Sequence, residues 1–330
     1  MKILITGASG LIGNFIFCFL KSKGHELIGI DNFSNSTKKL GILEGDVGDL
    51  GLMNKLCKDV DVVFHCACLP YEGLSNFCPV AICKSVFDSS VTVATACVNN
   101  DVKRIINFSS MARYGKRPPH VYKPFSEENT LNPCDPYGVA KVSAENLLNT
   151  MSDLYGFDLI HLVPHNCFGL NLNWGDMRRG VINIFIRQAL ENKPITVHNQ
   201  GRQIRSFCFV EDVFSFVDQL LECHIKNKEV FNVGPSEEES VMDVISLANF
   251  IISKTGSSSE IRFIEKYNDV PYATCTAEKI KKKFNWKSKL CLEDGIKNMI
   301  DYAKKLKKIE KTKPLPIEIE KMCPESWKIG

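Results

Sequence analysis

No stretch of the chain approaches the ~20 consecutive apolar residues that a bilayer-spanning helix needs, and no basic, apolar, small-residue leader precedes the first strand-like run. Neither a membrane segment nor an export signal is expected, and the cytosol is the predicted compartment. An excess of charge is lacking too: 41 Lys and Arg against 38 Asp and Glu leave a net +3, too little to draw a nucleic-acid partner. The lysines around 279–283 and 304–308 alternate with apolar residues as solvated helix faces do. Internal repeats and low-complexity segments are absent. So is any Cys-x-x-Cys pair: the 14 cysteines are scattered, and those in apolar runs (Cys18, Cys97, Cys208) read as buried free thiols of a reducing compartment. Cys66 and Cys68 flank Ala67 beside His65, but strand alternation sends both thiols to one face and His65 to the other, so no metal site is expected.

What is present begins at the first residue. Ile3, Leu4 and Ile5 form the short apolar run of a buried parallel strand, and Gly7, Gly10 and Gly13 follow at intervals of three, opening a helix. Gly7 permits a turn closed to other residues, Gly10 leaves no Cβ to obstruct a pyrophosphate, and Gly13 lets the helix pack closely. The anion would sit on the free N–H groups of Leu11, Ile12 and Gly13, at the positive end of the helix dipole. A second strand, Leu27 to Ile30, ends at Asp31, an acid about 20 residues on that suits a ribose 2′-hydroxyl and repels a 2′-phosphate. That predicts NAD rather than NADP. Lys38 and Lys39 lie past the strand end. Asp46, before Val47, is placed to accept from an adenine amino group or to form a plain Asx turn.

Strands at 41–44, 61–64, 104–108 and 159–164 alternate with helices at 49–57, 80–99 and 135–155, the pattern of a parallel sheet covered on both faces. Beyond residue 165 the alternation loosens. Helices are expected at 181–191, 211–222, 240–254 and 292–305, with short strands near Ile195, Phe207 and Val230–Val233. The fold class predicted is α/β: a Rossmann-type doubly wound parallel sheet with a smaller, mixed α/β C-terminal substrate domain. Residues 1–168 would form the NAD-binding domain, with 205–232 returning to it, and 169–204 and 233–311 the substrate domain. The tail 312–330 reads as an extended strap over the surface or over a neighbouring subunit.

Ser110 stands just past a central strand, where open α/β sheets place their ligands. Tyr137 and Lys141, four apart, share one face of a helix whose cap is Asp135 and whose first turn is Pro136. A phenol beside a lysine suits hydride chemistry: the phenolate takes a hydroxyl proton while the hydride on the same carbon leaves. Bringing a tyrosine from pKa ~10 toward 7 requires ~4 kcal/mol, which the ammonium of Lys141 and a cationic nicotinamide can supply.

The run Thr6-Gly7-Ala8-Ser9-Gly10-Leu11-Ile12-Gly13, with Ser110, Tyr137 and Lys141, resembles the extended short-chain dehydrogenase/reductase family over residues 1 to about 305. It is most similar to the nucleotide-sugar branch of UDP-glucose 4-epimerase type. The resemblance implies NAD contacts at Asp31, Asp46, Val47, Cys66, Ala67, Lys141 and Pro164, catalysis by Ser110, Tyr137 and Lys141, and a UDP-linked sugar as substrate. It places Asn166 and Arg205 on the diphosphate, Lys266 where a second arginine is usual, and Ala273 at the sugar C2 substituent, with Tyr272 as the alternative. It also implies a homodimer through the helices at 80–99 and 135–155. A methyl side chain at Ala273 leaves room for an acetamido group. Departures are Ser90-Val91-Thr92-Val93-Ala94 for the usual Asn-Val-x-Gly-Thr, and Pro70 for a cofactor-side lysine. Related dehydratases and decarboxylases carry carboxylates directly after the catalytic serine or threonine; here Met111 and Ala112 stand there, which favours the epimerase. A catalytically silent NAD-binding scaffold is the third reading.

Overall fold

The computed structural model describes residues 1–330 apart from 119–120, 226, 236–239, 265–268, 308, 310–313 and 329–330. Seven strands form one sheet: β1 (Lys2–Thr6), β2 (Glu26–Asp31), β3 (Ile42–Glu44), β4 (Val62–His65), β5 (Arg104–Phe108), β6 (Asp158–Pro164) and, from later in the chain, β10 (Lys228–Val233). Their order is β10-β6-β5-β4-β1-β2-β3, and every pairing is parallel. Such strands are buried on both faces, which is why Ile3, Leu4 and Ile5 are fully buried and why the sequence reads as apolar runs without alternation. The chain reverses direction across the sheet between β1 and β4. There the loops after the strands diverge and leave a crevice.

Helices cover both faces. Leu11–Ser22 buries Gly13, Ile16, Phe17 and Leu20, one stripe at helical spacing. Pro136–Tyr155 starts where the Asp135 carboxylate accepts from Gly138 N–H at 2.8 Å and ends at Gly156 in the left-handed region. The helix Pro79–Asn99 is 21 residues long and, by length and composition alone, apolar enough to cross a bilayer, which no run of the sequence was expected to be. Its apolar face packs along Pro136–Tyr155, while Lys84, Ser85 and Asp88 line the cleft. Its middle turn, Lys84–Asp88, is π-helical.

A second layer lies beyond the sheet's carboxyl edge. β9 (Ile204–Phe209) pairs in parallel with β7 (Asn166–Phe168) and β13 (Tyr272–Ala273), and antiparallel with β11 (Val241–Asp243); β8 (Ile195–Val197) pairs with β12 (Ile261–Phe263). Helices Val181–Leu190, Val244–Thr255 and Leu292–Lys305 close a separate core on it around Phe185, Ile186, Leu247, Ile251, Ile296 and Met299. Two helices differ from expectation. The segment 211–222 is one helical turn, Val210–Val213, then a 3-10 turn, because the Asp212 carboxylate accepts from Lys289 N–H and Ser288 instead of staying on a solvated helix face. The helix expected from Ser240 begins at Val244, where Asp243 caps it through Ser246 N–H, and β11 takes the residues before.

The tail packs on its own chain. Glu318 N–H donates to the Phe77 carbonyl at 2.7 Å, the Glu318 carboxylate accepts from Val80 and Ala81 N–H at 2.8 and 2.9 Å, and Cys323 and Trp327 are buried.

Candidate active site

The glycine loop divides its labour. Gly7 has φ +65, and a Cβ there would stand 2.8 Å from Ala67 Cα and N; a Cβ on Gly13 would stand 2.2 Å from the Gly7 carbonyl oxygen. A Cβ on Gly10 would meet only that oxygen, at 3.2 Å, and otherwise the cleft. Gly7 and Gly13 therefore serve the fold, while Gly10 keeps space open on the ligand side. The first intrahelical bond runs from Asn14 N–H to the Gly10 carbonyl at 3.0 Å, so the N–H groups of Leu11, Ile12 and Gly13 have no intrahelical acceptor. No acid stands in the first turn. A cradle that a Cβ would fill, backed by three free donors, fits a dinucleotide pyrophosphate.

Asp31 ends β2 and is buried, accepting from Ser9 N–H at 3.0 Å, Phe33 N–H at 2.8 Å and Ser36 Oγ at 2.9 Å. Its carboxylate thus fixes the loop as well as facing the cleft. Asp46 accepts from Gly48 N–H at 2.8 Å, so the Asx turn forms, and one carboxylate oxygen stays open toward the cleft. Val47, Cys66, Ala67 and Pro164 also line it. His65 turns away, as alternation requires: Thr6 Oγ1 lies 2.9 Å from its Nδ1 and Ser90 Oγ 3.1 Å from its Nε2. Burial, with Lys141 adding, lowers its pKa to about 3 and keeps it neutral. No group of three metal-ligating side chains occurs among the described residues.

Lys39 is not remote. Its Nζ donates to Asn14 Oδ1 at 2.8 Å and to Asn171, whose own amide donates to the Gly10 carbonyl at 3.0 Å. Burial lowers its pKa to about 8, opposed by Cys18 and Asp31. It braces the back of the phosphate loop instead of standing past it.

Ser110, Tyr137 and Lys141 come together on the cleft floor, all three buried. Lys141 Nζ donates to the Phe108 carbonyl at 2.6 Å and lies 5.8 Å from the Tyr137 ring centre. Lys141 and a cationic nicotinamide together are the charges expected to bring the phenol down; without the nicotinamide the balance is upward. Burial pushes Tyr137 well above its ordinary value, Cys68 and Glu72 push the same way, and Arg179 and the Ser110 hydroxyl oppose them. Behind the floor, Arg113 pairs with Glu145 at 3.0 Å and Ser109 donates to the same carboxylate, tying the serine loop to the Tyr137 helix. Burial raises Glu145 despite Arg113. Arg113 faces this pair and not the cleft.

The far half of the cleft carries Asn166, whose amide donates to the Ser206 carbonyl at 2.8 Å, and Arg205, paired with Asp269 at 2.8 Å. Gln203 Nε2 reaches Asp269 and the His198 carbonyl, both at 3.3 Å. Ala273 is buried in β13 beside Arg205, at a small side cavity of about 20 Å³ shared with Glu72, Met111, Asp135 and Asn166. Tyr272 turns away, its ring edge-on to Tyr122 at 5.6 Å, so it does not fill the place beside Ala273. Lys266 lies outside the described residues. The whole cleft, about 1790 Å³, joins the glycine loop, Ser110, Tyr137 and Arg205.

The model of the NAD dependent epimerase/dehydratase family matches residues 3–234. The chain belongs to that family. An uncharacterized UDP-glucose epimerase of Bacillus subtilis is 28% identical over 327 residues, covering 93% of this chain and 99% of its own. A UDP-glucose 4-epimerase of Mycolicibacterium smegmatis is 26% identical, covering 92% and 98%. The crystal structure of the Thermotoga maritima UDP-glucose 4-epimerase superposes with a TM-score of 0.85 at 26% identity, covering 92% and 99%. NAD is the cofactor of this epimerase/dehydratase chain, and the cradle described above is where it fits.

Two residues on this family member's cleft carry no signal in the sequence. Glu72 follows β4 in an irregular loop; it opens to the cleft yet is walled by protein, so burial, then Asp135, raises it to about 7, against the pull of Arg205. Arg179 joins it from the loop after Trp174. Neither sits in a periodic element, and only the fold brings them beside Tyr137.

Proposed function

We propose that the chain is an NAD-dependent nucleotide-sugar 4-epimerase acting on UDP-linked hexoses, with N-acetylhexosamines admitted at C2. One observation carries this reading: a single cleft holds the phosphate cradle at one end, Ser110, Tyr137 and Lys141 at its floor, and Arg205 at the other end. Bound NAD supplies a reversible hydride acceptor. The chain's own residues do the rest. Tyr137 takes the proton from the C4 hydroxyl and returns it, Ser110 holds that oxygen, and Lys141 stays fixed on the Phe108 carbonyl beside them. The Arg205 guanidinium, held by Asp269, presents planar donors to the diphosphate, and Asn166 lies alongside. Since hydride leaves and returns within one turnover, the cofactor never has to depart.

The second reading, a 4,6-dehydratase, gains from Glu72, a carboxylate near Tyr137 that the serine loop itself lacks. Resolving the products of UDP-glucose, UDP-glucuronate and UDP-N-acetylglucosamine by NMR decides: the C4 epimer supports the proposal, and a 4-keto-6-deoxy sugar replaces it. Tyr137→Phe is expected to retain NAD and lose about 10²–10⁴-fold in turnover. A cytoplasmic homodimer, paired through Pro79–Asn99 and Pro136–Tyr155, completes the proposal; the exposed Val80, Val139 and Leu154 on these helices support it.

A further inference from the structure

The relatives are matched over 98–99% of their own length by 92–93% of this chain. A C-terminal strap, residues 314–328, follows the last long helix, Leu292–Lys305. It crosses from one half of the molecule to the other. On the nucleotide-binding side it bonds the Phe77 carbonyl and caps the Pro79–Asn99 helix through Glu318. On the other side Arg178 donates to the Leu315 carbonyl at 2.8 Å and to the carbonyl of Trp327. The Trp327 ring then lies between the two halves, edge-on to Phe77 at 5.8 Å and to His198 at 6.0 Å, and lines the main cleft.

The bonded side chains give the cleft a direction. Arg205 pairs with Asp269, Gln203 reaches both Asp269 and the His198 carbonyl, and the His198 ring lies 6.0 Å from Trp327, so these contacts lead from Arg205 to the indole, whose other side packs in the cluster of Phe77 and Tyr137. A nucleotide sugar with its sugar at Tyr137 and its diphosphate on Arg205 would reach past Gln203 toward His198 and Trp327 with its base.

We propose that Trp327, held by the strap 314–328, is a wall of the base subsite, so that the last segment of the chain completes the substrate pocket. This rests on the nucleotide-sugar reading above. An indole face gives a planar base apolar contact without a side-chain entropy cost, because Arg178 and the Glu318 cap have already ordered the strap.

The test titrates UDP and, separately, inorganic pyrophosphate into the NAD-bound protein by calorimetry. Trp327→Ala is expected to weaken UDP roughly tenfold while leaving pyrophosphate within about twofold, since only UDP carries the base; tenfold corresponds to about 1.4 kcal/mol. Trp327→Phe, which keeps an aromatic face, is expected to stay within about threefold for both. Removing residues 314–330 should reproduce the alanine result, with NAD content as the check on folding. Equal UDP affinity in wild type and Trp327→Ala overturns the proposal, and so does equal weakening of UDP and pyrophosphate, which marks a merely structural role. A wild-type protein that binds neither UDP nor any UDP-sugar overturns the nucleotide-sugar reading itself, and the wall with it.

Discussion

Adding one methyl group at each of two loop glycines separates the glycine that serves the fold from the glycine that serves the ligand. In Gly13→Ala the new Cβ stands 2.2 Å from the Gly7 carbonyl oxygen, 2.8 Å from its carbon and 3.2 Å from Ala8 Cα, all backbone atoms of a turn that cannot rotate aside. Overpacking of this kind costs about 1–3 kcal/mol, and the better helix propensity of alanine offsets up to about 1 kcal/mol. The ligand-free protein should therefore lose up to about 3 kcal/mol. In Gly10→Ala the one close contact is 3.2 Å, the backbone (φ −70, ψ 176) is allowed to alanine, and the remaining volume is cleft. Ligand-free stability should stay within about 1 kcal/mol, with lower unfolded-state entropy helping. The methyl instead holds an anion off the free N–H groups, and losing one charge-assisted bond costs about 1.5–3 kcal/mol, roughly 10- to 150-fold in the NAD Kd. Urea unfolding of NAD-stripped protein reads the first quantity and NAD titration the second. A Gly10→Ala protein that binds NAD as tightly as wild type would refute the placement of the pyrophosphate on this loop.

Three further outcomes follow from the same geometry. Ala273→Tyr fills the side cavity between Arg205 and Glu72, so turnover of UDP-N-acetylhexosamines should vanish while UDP-hexoses are spared; an unchanged ratio moves the C2 gate elsewhere. Glu72 has its pKa raised to about 7, so it gains negative charge as pH rises through 7, and that charge pushes the Tyr137 phenol further up. Glu72→Gln removes the charge, and the rising limb of kcat/KM against pH should move to lower pH; identical profiles would disconnect Glu72 from Tyr137. Arg113→Met strands the buried Glu145 carboxylate and should cost about 3–5 kcal/mol in urea unfolding, most of it recovered in Arg113→Met/Glu145→Leu.

The parts of the site that could be read in the sequence are those that local structure creates. Gly7, Gly10 and Gly13 lie within one turn of chain, and Tyr137 and Lys141 within one turn of helix, so spacing alone fixes their relation. Asp31 was legible because a strand end is a defined place. Glu72, Arg179, Lys39 and Trp327 were not. Glu72, Arg179 and Lys39 sit in irregular segments and Trp327 in the four-residue helix Glu325–Lys328, too short to show a period, and the partners are distant in sequence: Lys39 meets Asn171, and Trp327 meets Phe77 and His198. The broken helix after Val210 failed for a related reason. Val210, Val213, Phe214, Val217 and Leu220 are buried at helical spacing, and nothing local announces that Asp212 is taken up by the 288–290 loop.

The ionisation order on the cleft floor bears on how the site works. With the protein's own groups alone, Tyr137 is held protonated by burial and by Cys68 and Glu72, while Glu72 loses its proton near neutrality. Of this pair, the carboxyl is the readier donor, and the phenol must be brought down before its phenolate is available as a base. Environments that push two titratable groups apart in this way assign their roles, so Tyr137 serves as the base as positive charge beside it stabilises its phenolate. A unit charge about 5 Å from the phenol, at an effective dielectric constant near 20, contributes about 3 kcal/mol, or roughly two pKa units. Lys141 is one such charge: its ammonium, anchored on the Phe108 carbonyl, lies 5.8 Å from the Tyr137 ring centre, and a cationic nicotinamide would add to it. A cationic nicotinamide would therefore lower the phenol pKa further when the hydride acceptor is bound, which couples the base to the oxidised cofactor.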